Sequence, residues 1–367
     1  MNSSARVLAL ADVHLGHRKT SSFTIIDNLR SYFLPQIEGS DLILIAGDFF
    51  DRLLSLPSEE VEAIHQFIGD FLMLAREKNV IVRVLEGTPS HDWQQSRLFE
   101  QINKLGIYAD VKWFASLDIE YIEKLGTYIL YIPDEWDHIE AIYEQARQLL
   151  YEFSLQKADW IVMHGQFDFQ LPKAHNIPKH SSERYQQLAH YYTICGHVHR
   201  PTQKGNILIP GSFDRLAHGE EEAKGFYRID TDPDRVNDRI TFIENETAKT
   251  FKTIDLRGVD KERCWQILER DLAFVEANSH ISILLYKDDP LRDLADELKK
   301  RYPLLHFDLK SEQVGQSSFD QLEKMKPEQL EPITPNTIER LVGEKLTSKG
   351  VDENLYKRAL EELKQWI

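Results

Sequence analysis

Short, unbroken apolar runs recur along the chain: Val7–Ala11, Leu42–Ala46, Val80–Leu85, Tyr128–Ile132, Trp160–Met163, Tyr192–Cys195 and Ile207–Ile209. A run without polar alternation is a strand buried on both faces, so it needs helices or a second sheet on either side. Amphipathic segments fall between the runs. In Ser58–Lys78, Val61, Ile64, Ile68, Phe71 and Leu72 repeat at three- and four-residue steps and predict a helix. The alternation predicts a layered α/β domain over residues 1–258. Three later runs, Phe226–Ile229, Ile240–Ile243 and Phe251–Ile254, predict an antiparallel extension of its sheet.

After Arg257-Gly258 the pattern becomes helix (Lys261–Glu276), strand (Ile281–Tyr286), helix (Leu291–Arg301) and strand (Leu304–Leu309). This predicts a compact second unit over 259–312. A polar stretch over 313–333, with prolines at 327 and 332, reads as a linker. It leads to a helical pair over 334–367, broken at Gly350, whose last helix carries an apolar stripe through Leu355, Tyr356, Leu360 and Leu363.

The composition excludes several classes. With 367 residues and 42% hydrophobic content, the chain can bury the cores of roughly two to three domains and is not disordered. No apolar run approaches the roughly 18–20 residues that cross a bilayer, so no membrane partner and a cytoplasmic location are expected. The two cysteines, Cys195 and Cys264, lie far apart, which excludes a disulfide scaffold and a cysteine zinc site. A net charge of −16 speaks against phosphate binding by average charge alone, since that contact is largely made by Lys and Arg.

Chemistry concentrates just beyond the strands, where open α/β sheets place their sites. Asp12 and His14 follow the first run, Asp48 the second, His91 the third, His164 the fifth, and His197 with His199 the sixth. The D-x-H and H-x-H spacings put both members of a pair on one side of a strand. A mixed carboxylate–imidazole set suits Mn, Fe or Zn better than calcium or magnesium. Six ligands exceed the need of one ion and suffice for two with a shared carboxylate, the arrangement that clamps both oxygens of an in-line phosphoryl displacement. Any one of these residues is more often structural, and Gly47 and Gly196 fit ordinary turns. Five strand ends bearing the same residue types are the stronger sign.

DVHLG, GDFFD, HG, GHVH and PGS, in this order, resemble the calcineurin-like metallophosphoesterase superfamily. DVHLG followed by LILIAGDFFD and an amphipathic helix more closely resembles its SbcD branch, nuclease subunits that work with SMC-like ATPases. That resemblance implies a layered metallophosphoesterase β-sandwich flanked by helices, with a small α/β capping domain and C-terminal helices. It implies that Asp12, His14 and His199 hold one metal, that Asp48 bridges, and that His164 and His197 hold the second, with Mn2+ the expected ion. His91 would orient the scissile phosphate or protonate the leaving oxygen, and Asp51 and Asp92 would fix imidazole orientation. The superfamily usually reads Gly-Asn-His-Asp where this chain has Gly87-Thr88-Pro89-Ser90-His91-Asp92. The Asn ligand is therefore absent, and Ser90 is the candidate oxygen in its place. This loop resembles a phage-type variant, for which the compartment would be the host cytoplasm.

The implied activity is duplex exonuclease, with single-strand endonuclease action, in DNA end processing beside an SbcC-like ATPase, the chain itself a homodimer. His17, Arg18, Lys19, Arg215 and His218 are candidate DNA contacts, each equally readable as loop packing. Tyr356, Leu360, Leu363 and Trp366 are candidate anchors for the ATPase coiled coil, equally readable as an ordinary docking face. A small-molecule or cyclic-nucleotide phosphodiesterase and a non-catalytic scaffold subunit remain the alternatives.

Overall fold

The computed structural model describes residues 4–312 except 56, 135–138, 171–178, 234–235 and 288–293. The linker and C-terminal helical pair expected over 313–367, with Tyr356, Leu360, Leu363 and Trp366, lie outside the described residues.

In chain order the strands are β1 (Ala5–Leu10), β2 (Leu42–Ala46), β3 (Ile81–Leu85), β4 (Val111–Phe114), β5 (Asp118–Ile122), β6 (Thr127–Ile132), β7 (Trp160–His164) and β8 (Thr193–Gly196). There follow β9 (Thr202–Lys204), β10 (Ile207–Ile209), β11 (Gly225–Thr231), β12 (Arg239–Glu244), β13 (Phe251–Asp255), β14 (His280–Tyr286) and β15 (His306–Glu312). The first sheet runs β12-β11-β1-β2-β3-β4, with β1 to β4 parallel and β11 and β12 antiparallel. The second runs β5-β6-β7-β8-β10-β9 and is parallel at its centre with antiparallel edges.

The unbroken apolar runs are explained by what covers each face. Val7, Ala9, Leu42 and Leu44 meet Ile129, Tyr131, Trp160 and Val162 between the two sheets. Leu8, Leu10, Ile43 and Ile45 point the other way, onto Ile25, Ile64, Ile68 and Phe71 of the helices Ser22–Asn28 and Glu59–Glu77. The latter helix starts where the sequence places it because the Ser58 hydroxyl accepts from Val61 N at 3.2 Å. On the far side, Leu130, Ile132, Ile161 and Met163 pack against Ile142, Tyr143 and Ala146 of the helix Ile139–Glu152. The result is a helix–sheet–sheet–helix sandwich. Each side chain fully buried in it contributes about 1.5–3 kcal/mol. The one charge inside β3, Arg83, is satisfied by Glu120 of β5, with Nε–Oε2 2.6 Å and Nη2–Oε1 3.0 Å, and so ties the two sheets together.

One strand departs from the sequence reading. Phe251–Asp255 does not extend the first sheet; it pairs parallel with β14 in a third sheet, β13-β14-β15. Its inward residue Ile254 completes the core that Cys264, Leu268 and Leu272 of the helix Lys261–Leu272 form with Ile281 and Ile283. Hydrophobic pattern alone does not distinguish the two pairings. No helix among the described residues is long and apolar enough to cross a membrane.

Candidate metal centre

The parallel strands of both sheets end at one rim, and the residues following β1, β2, β3, β7 and β8 converge there. Ligand atoms of Asp12, His14 and His199 lie within 4.8 Å of one another, as do those of His14, Asp48 and His91, and of Asp48, His164 and His197. All six residues proposed as ligands, and His91, thus fall in one cluster, with Asp48 and His14 shared between groups.

They converge for a different reason from the strand alternation first invoked. β1 ends at Leu10 and β8 at Gly196, so the D-x-H and H-x-H pairs lie beyond the strands. Asp12, His14, Asp48 and His197 all have positive φ, at 50°, 55°, 49° and 100°. Such a conformation costs a non-glycine residue energy and persists only where its surroundings enforce it, most often at functional sites. Here the loops enforce one another: Asp12 N donates to Gly47 O at 3.1 Å and His14 N to Asp48 O at 3.0 Å. Both Asp12 oxygens accept from His197 N, at 2.9 and 3.1 Å. Gly47, at φ +84°, has no room for a Cβ, which would strike the His164 ring and the Gly87 backbone.

Three imidazoles are oriented from behind. His14 Nδ1 faces Asp51 Oδ1 at 3.1 Å, His164 Nδ1 faces Ala46 O at 2.8 Å, and His199 Nδ1 faces Glu220 Oε1 at 3.0 Å. Carboxylates and carbonyls only accept, so each Nδ1 carries the proton and each Nε2 turns to the cluster. His14 Nε2 and His199 Nε2 stand 3.1 Å apart. With each Nδ1 turned away to its own acceptor, the two Nε2 atoms converge on one point, the arrangement of two ligands of one cation. This donor set therefore fits divalent cations.

The electrostatics agree. Burial disfavours a charged Asp48, yet the imidazoles of His164, His91 and His14 outweigh it and hold the carboxyl well below the usual range. Burial likewise opposes a charged His164, but Asp48 and then Asp12 draw a proton onto it and push its pKa to about 10. A site that pulls positive charge this strongly is electrostatically prepared for a cation.

Other expected residues are placed as follows. Asp51 contacts an imidazole. Asp92 does not serve an imidazole in this way: its buried carboxylate accepts from Gly87 N at 2.7 Å, Phe50 N at 2.9 Å and Asp48 N at 3.1 Å. It fixes the two loops that carry Asp48 and His91. Burial, Asp48 and Glu86 push its own pKa well up. His91 Nδ1 contacts Asp48 Oδ2 at 2.9 Å from a half-exposed position. Ser90 is exposed, and its carbonyl accepts from the Trp93 indole. The hydroxyl that reaches Asp48 and His164 belongs to Thr88, at 3.2 and 3.3 Å. The Arg215 guanidinium holds loops together through the carbonyls of Ala248 (2.7 Å) and Glu222 (3.2 Å). His218 lies edge-on to Phe251, His17 Nδ1 accepts from Lys19 N and Thr20 N, and Arg18 and Lys19 are exposed.

Sequence reasoning missed Thr88 and Glu220. Glu220 closes PGSFDRLAHGE and also binds the fully buried Lys224 ammonium at 2.8 Å; that pair and His199 outweigh burial and bring its pKa down to about 2.

A two-sheet α/β sandwich with aspartates and histidines gathered at the strand ends defines a metallophosphoesterase. The calcineurin-like phosphoesterase family matches residues 5–201, more than half of the chain, and the chain belongs to that family. A search of curated proteins returns no match. Among solved structures, the protein TT1561 of Thermus thermophilus is 11% identical with a TM-score of 0.38, over 65% of this chain and 99% of that one. The glutamine-dependent NAD+ synthetase from Acinetobacter baumannii, in complex with ADP, is 11% identical with a TM-score of 0.33, over 94% of this chain and 72% of that one. At these scores neither likeness carries an argument.

Proposed function

We propose that this chain is a two-metal DNA nuclease that hydrolyses phosphodiester bonds in DNA end processing. The observation that carries the two-metal part is the shared position of Asp48, whose carboxylate stands among His14, His91 and His164. Asp12, His14 and His199 would hold one ion, Asp48 both, and His164 with His197 the second; the mixed donor set suits Mn, Fe or Zn, and Mn2+ is the ion the motif resemblance implies. Bound there, such ions supply Lewis-acid chemistry that makes water nucleophilic at neutral pH and offsets charge on the attacking and leaving oxygens.

The chain's own residues do the rest. Asp51, Ala46 O and Glu220 keep the Nε2 atoms of His14, His164 and His199 directed inward. His91 hands Nδ1 to Asp48, which leaves Nε2 to hold a proton and pass it to the leaving oxygen. Asp48, through its hydrogen bond and charge, raises the His91 pKa against the effect of burial, which favours the protonated form that role needs. The DNA specificity, the SMC-like ATPase partner and a homodimer rest on the motif resemblance. The charge of −16 fits a chain that meets DNA at a small metal-neutralised site.

The test is Mn2+-dependent degradation of end-labelled linear duplex beside hydrolysis of bis-p-nitrophenyl phosphate, with wild type and Asp48→Ala. Degradation of both by wild type alone is expected. Hydrolysis of the small diester with intact duplex would instead identify a small-molecule phosphodiesterase. Unchanged DNA processing by the ATPase complex after Asp48→Ala and His91→Ala would identify a scaffold.

A further inference from the structure

We infer that the Thr88 hydroxyl is an oxygen ligand of the second ion, completing the set begun by Asp48, His164 and His197, and that it makes this the weaker of the two sites. The inference rests on the two-ion reading above and adds a ligand and an order of filling to it.

The geometry is a triangle. Asp48 Oδ2 lies 3.3 Å from His164 Nε2, Thr88 Oγ1 lies 3.2 Å from Asp48 Oδ2, and Thr88 Oγ1 lies 3.3 Å from His164 Nε2. Ligands on one ion with bonds near 2.1 Å and angles of 90–109° sit about 3.0–3.5 Å apart. The three atoms therefore have the mutual spacing of neighbouring ligands on one ion. Without an ion the same hydroxyl hydrogen-bonds both groups, donating to Asp48 Oδ2 and facing His164 Nε2, so an ion would replace the protons at the centre of the triangle and leave its three corners in place.

The ordinary explanation of this threonine is helix capping. Thr88 precedes the short helix Pro89–Asp92, where a threonine normally accepts from the backbone with its side-chain oxygen. Its side chain makes no such bond. The carbonyl does the local work, accepting from His91 N at 2.8 Å and Asp92 N at 3.0 Å. Thr88 N meanwhile donates to Asp48 Oδ1 at 2.6 Å, so the residue is locked onto the shared carboxylate by its backbone while its hydroxyl turns to the site. The Asp92 carboxylate, through Gly87 N and Asp48 N, fixes both flanking loops in this register.

A neutral hydroxyl is a weaker donor than the carboxylate Asp12 contributes to the other site. The group Asp12, His14 and His199 should therefore fill first, and the Thr88 side second.

The test is Mn2+ binding to the full chain, followed by calorimetry and by electron paramagnetic resonance, which reports free ion and the coupled pair without any turnover. Wild type should bind two ions in two phases. Thr88→Val, nearly the same shape and with the backbone N–H intact, should weaken the second phase at least about tenfold and leave the first unchanged. Thr88→Ser should restore the wild-type curve, and Thr88→Asn, with a stronger amide oxygen, should tighten the second phase. Should the valine variant fail to fold, the serine and asparagine variants decide: no change in the second phase in Thr88→Asn overturns the inference. Two-ion binding by Thr88→Val that matches wild type overturns it while leaving the two-ion reading standing. Wild type that binds fewer than two ions overturns both.

Discussion

Asp92 joins the loops that carry Asp48 and Thr88, and its removal gives a calculable result. Its carboxylate is the acceptor for three buried N–H groups, those of Gly87, Phe50 and Asp48. In Asp92→Ala each is orphaned at about 1–3 kcal/mol, for a gross cost of about 3–9 kcal/mol. Part is returned, because a fully buried carboxylate beside Asp48 and Glu86 is itself unfavourable, as its raised pKa shows. The net expected loss is about 3 kcal/mol, and Asp92→Asn, which keeps one acceptor oxygen, should lose less. The assay is urea denaturation with a chelator present, so that metal binding does not mask the loss. Because the same three N–H groups place Asp48 and Thr88, Mn2+ affinity should fall at least about tenfold in parallel. A variant within about 1 kcal/mol of wild type that binds Mn2+ as tightly would refute the anchoring role.

Further outcomes follow from the same geometry. Glu220→Gln removes the charge behind His199 and should weaken Mn2+ binding by about 10-fold, read by calorimetry; unchanged affinity would show that His199 needs no such support. A Cβ at Gly87 would collide with Asp48 N and Oδ1, so Gly87→Ala should abolish tight Mn2+ binding and lower the urea midpoint; retention of both would contradict the close approach. Burial lowers the His180 pKa to about 4, below its unfolded value. The folded state is therefore favoured while this ring is neutral, and that contribution, present above pH about 6.5, is lost as pH falls toward 4, by about 3 kcal/mol at the end of that window. His180→Phe should lose less stability than wild type between pH 7 and 4.5; equal losses would exclude His180 as a cause.

The sandwich was legible in the sequence because strands covered on both faces leave unbroken apolar runs, and β1, β2, β3, β7 and β8 were found that way. β4 and β5 were missed because they are the edge strands of their sheets, where Val111–Phe114 and Asp118–Ile122 mix exposed and buried residues and leave no unbroken apolar run. The partner sheet of Phe251–Asp255 was misread because pairing depends on tertiary packing against Cys264 and Leu268, which periodicity does not record. At the centre, residue types and order announced the ligands, whereas their convergence depends on positive φ at Asp12, His14, Asp48 and His197, which residue type does not fix. Thr88 escaped because a threonine before a short helix looks like a cap. Asp51 and Asp92 illustrate the same limit: both were placed near the histidines, and only coordinates distinguish a carboxylate on an imidazole from one on the backbone.

The central claim is that the cluster around Asp48 performs metal-dependent phosphodiester hydrolysis. Its most direct test is the rate of bis-p-nitrophenyl phosphate hydrolysis as Mn2+ is titrated into wild type and a folded Asp48→Ala variant. Wild type should gain activity with bound metal, and the variant should fall by at least about 100-fold at saturating Mn2+. Wild-type turnover that ignores Mn2+, or a variant that keeps its rate, would contradict the account.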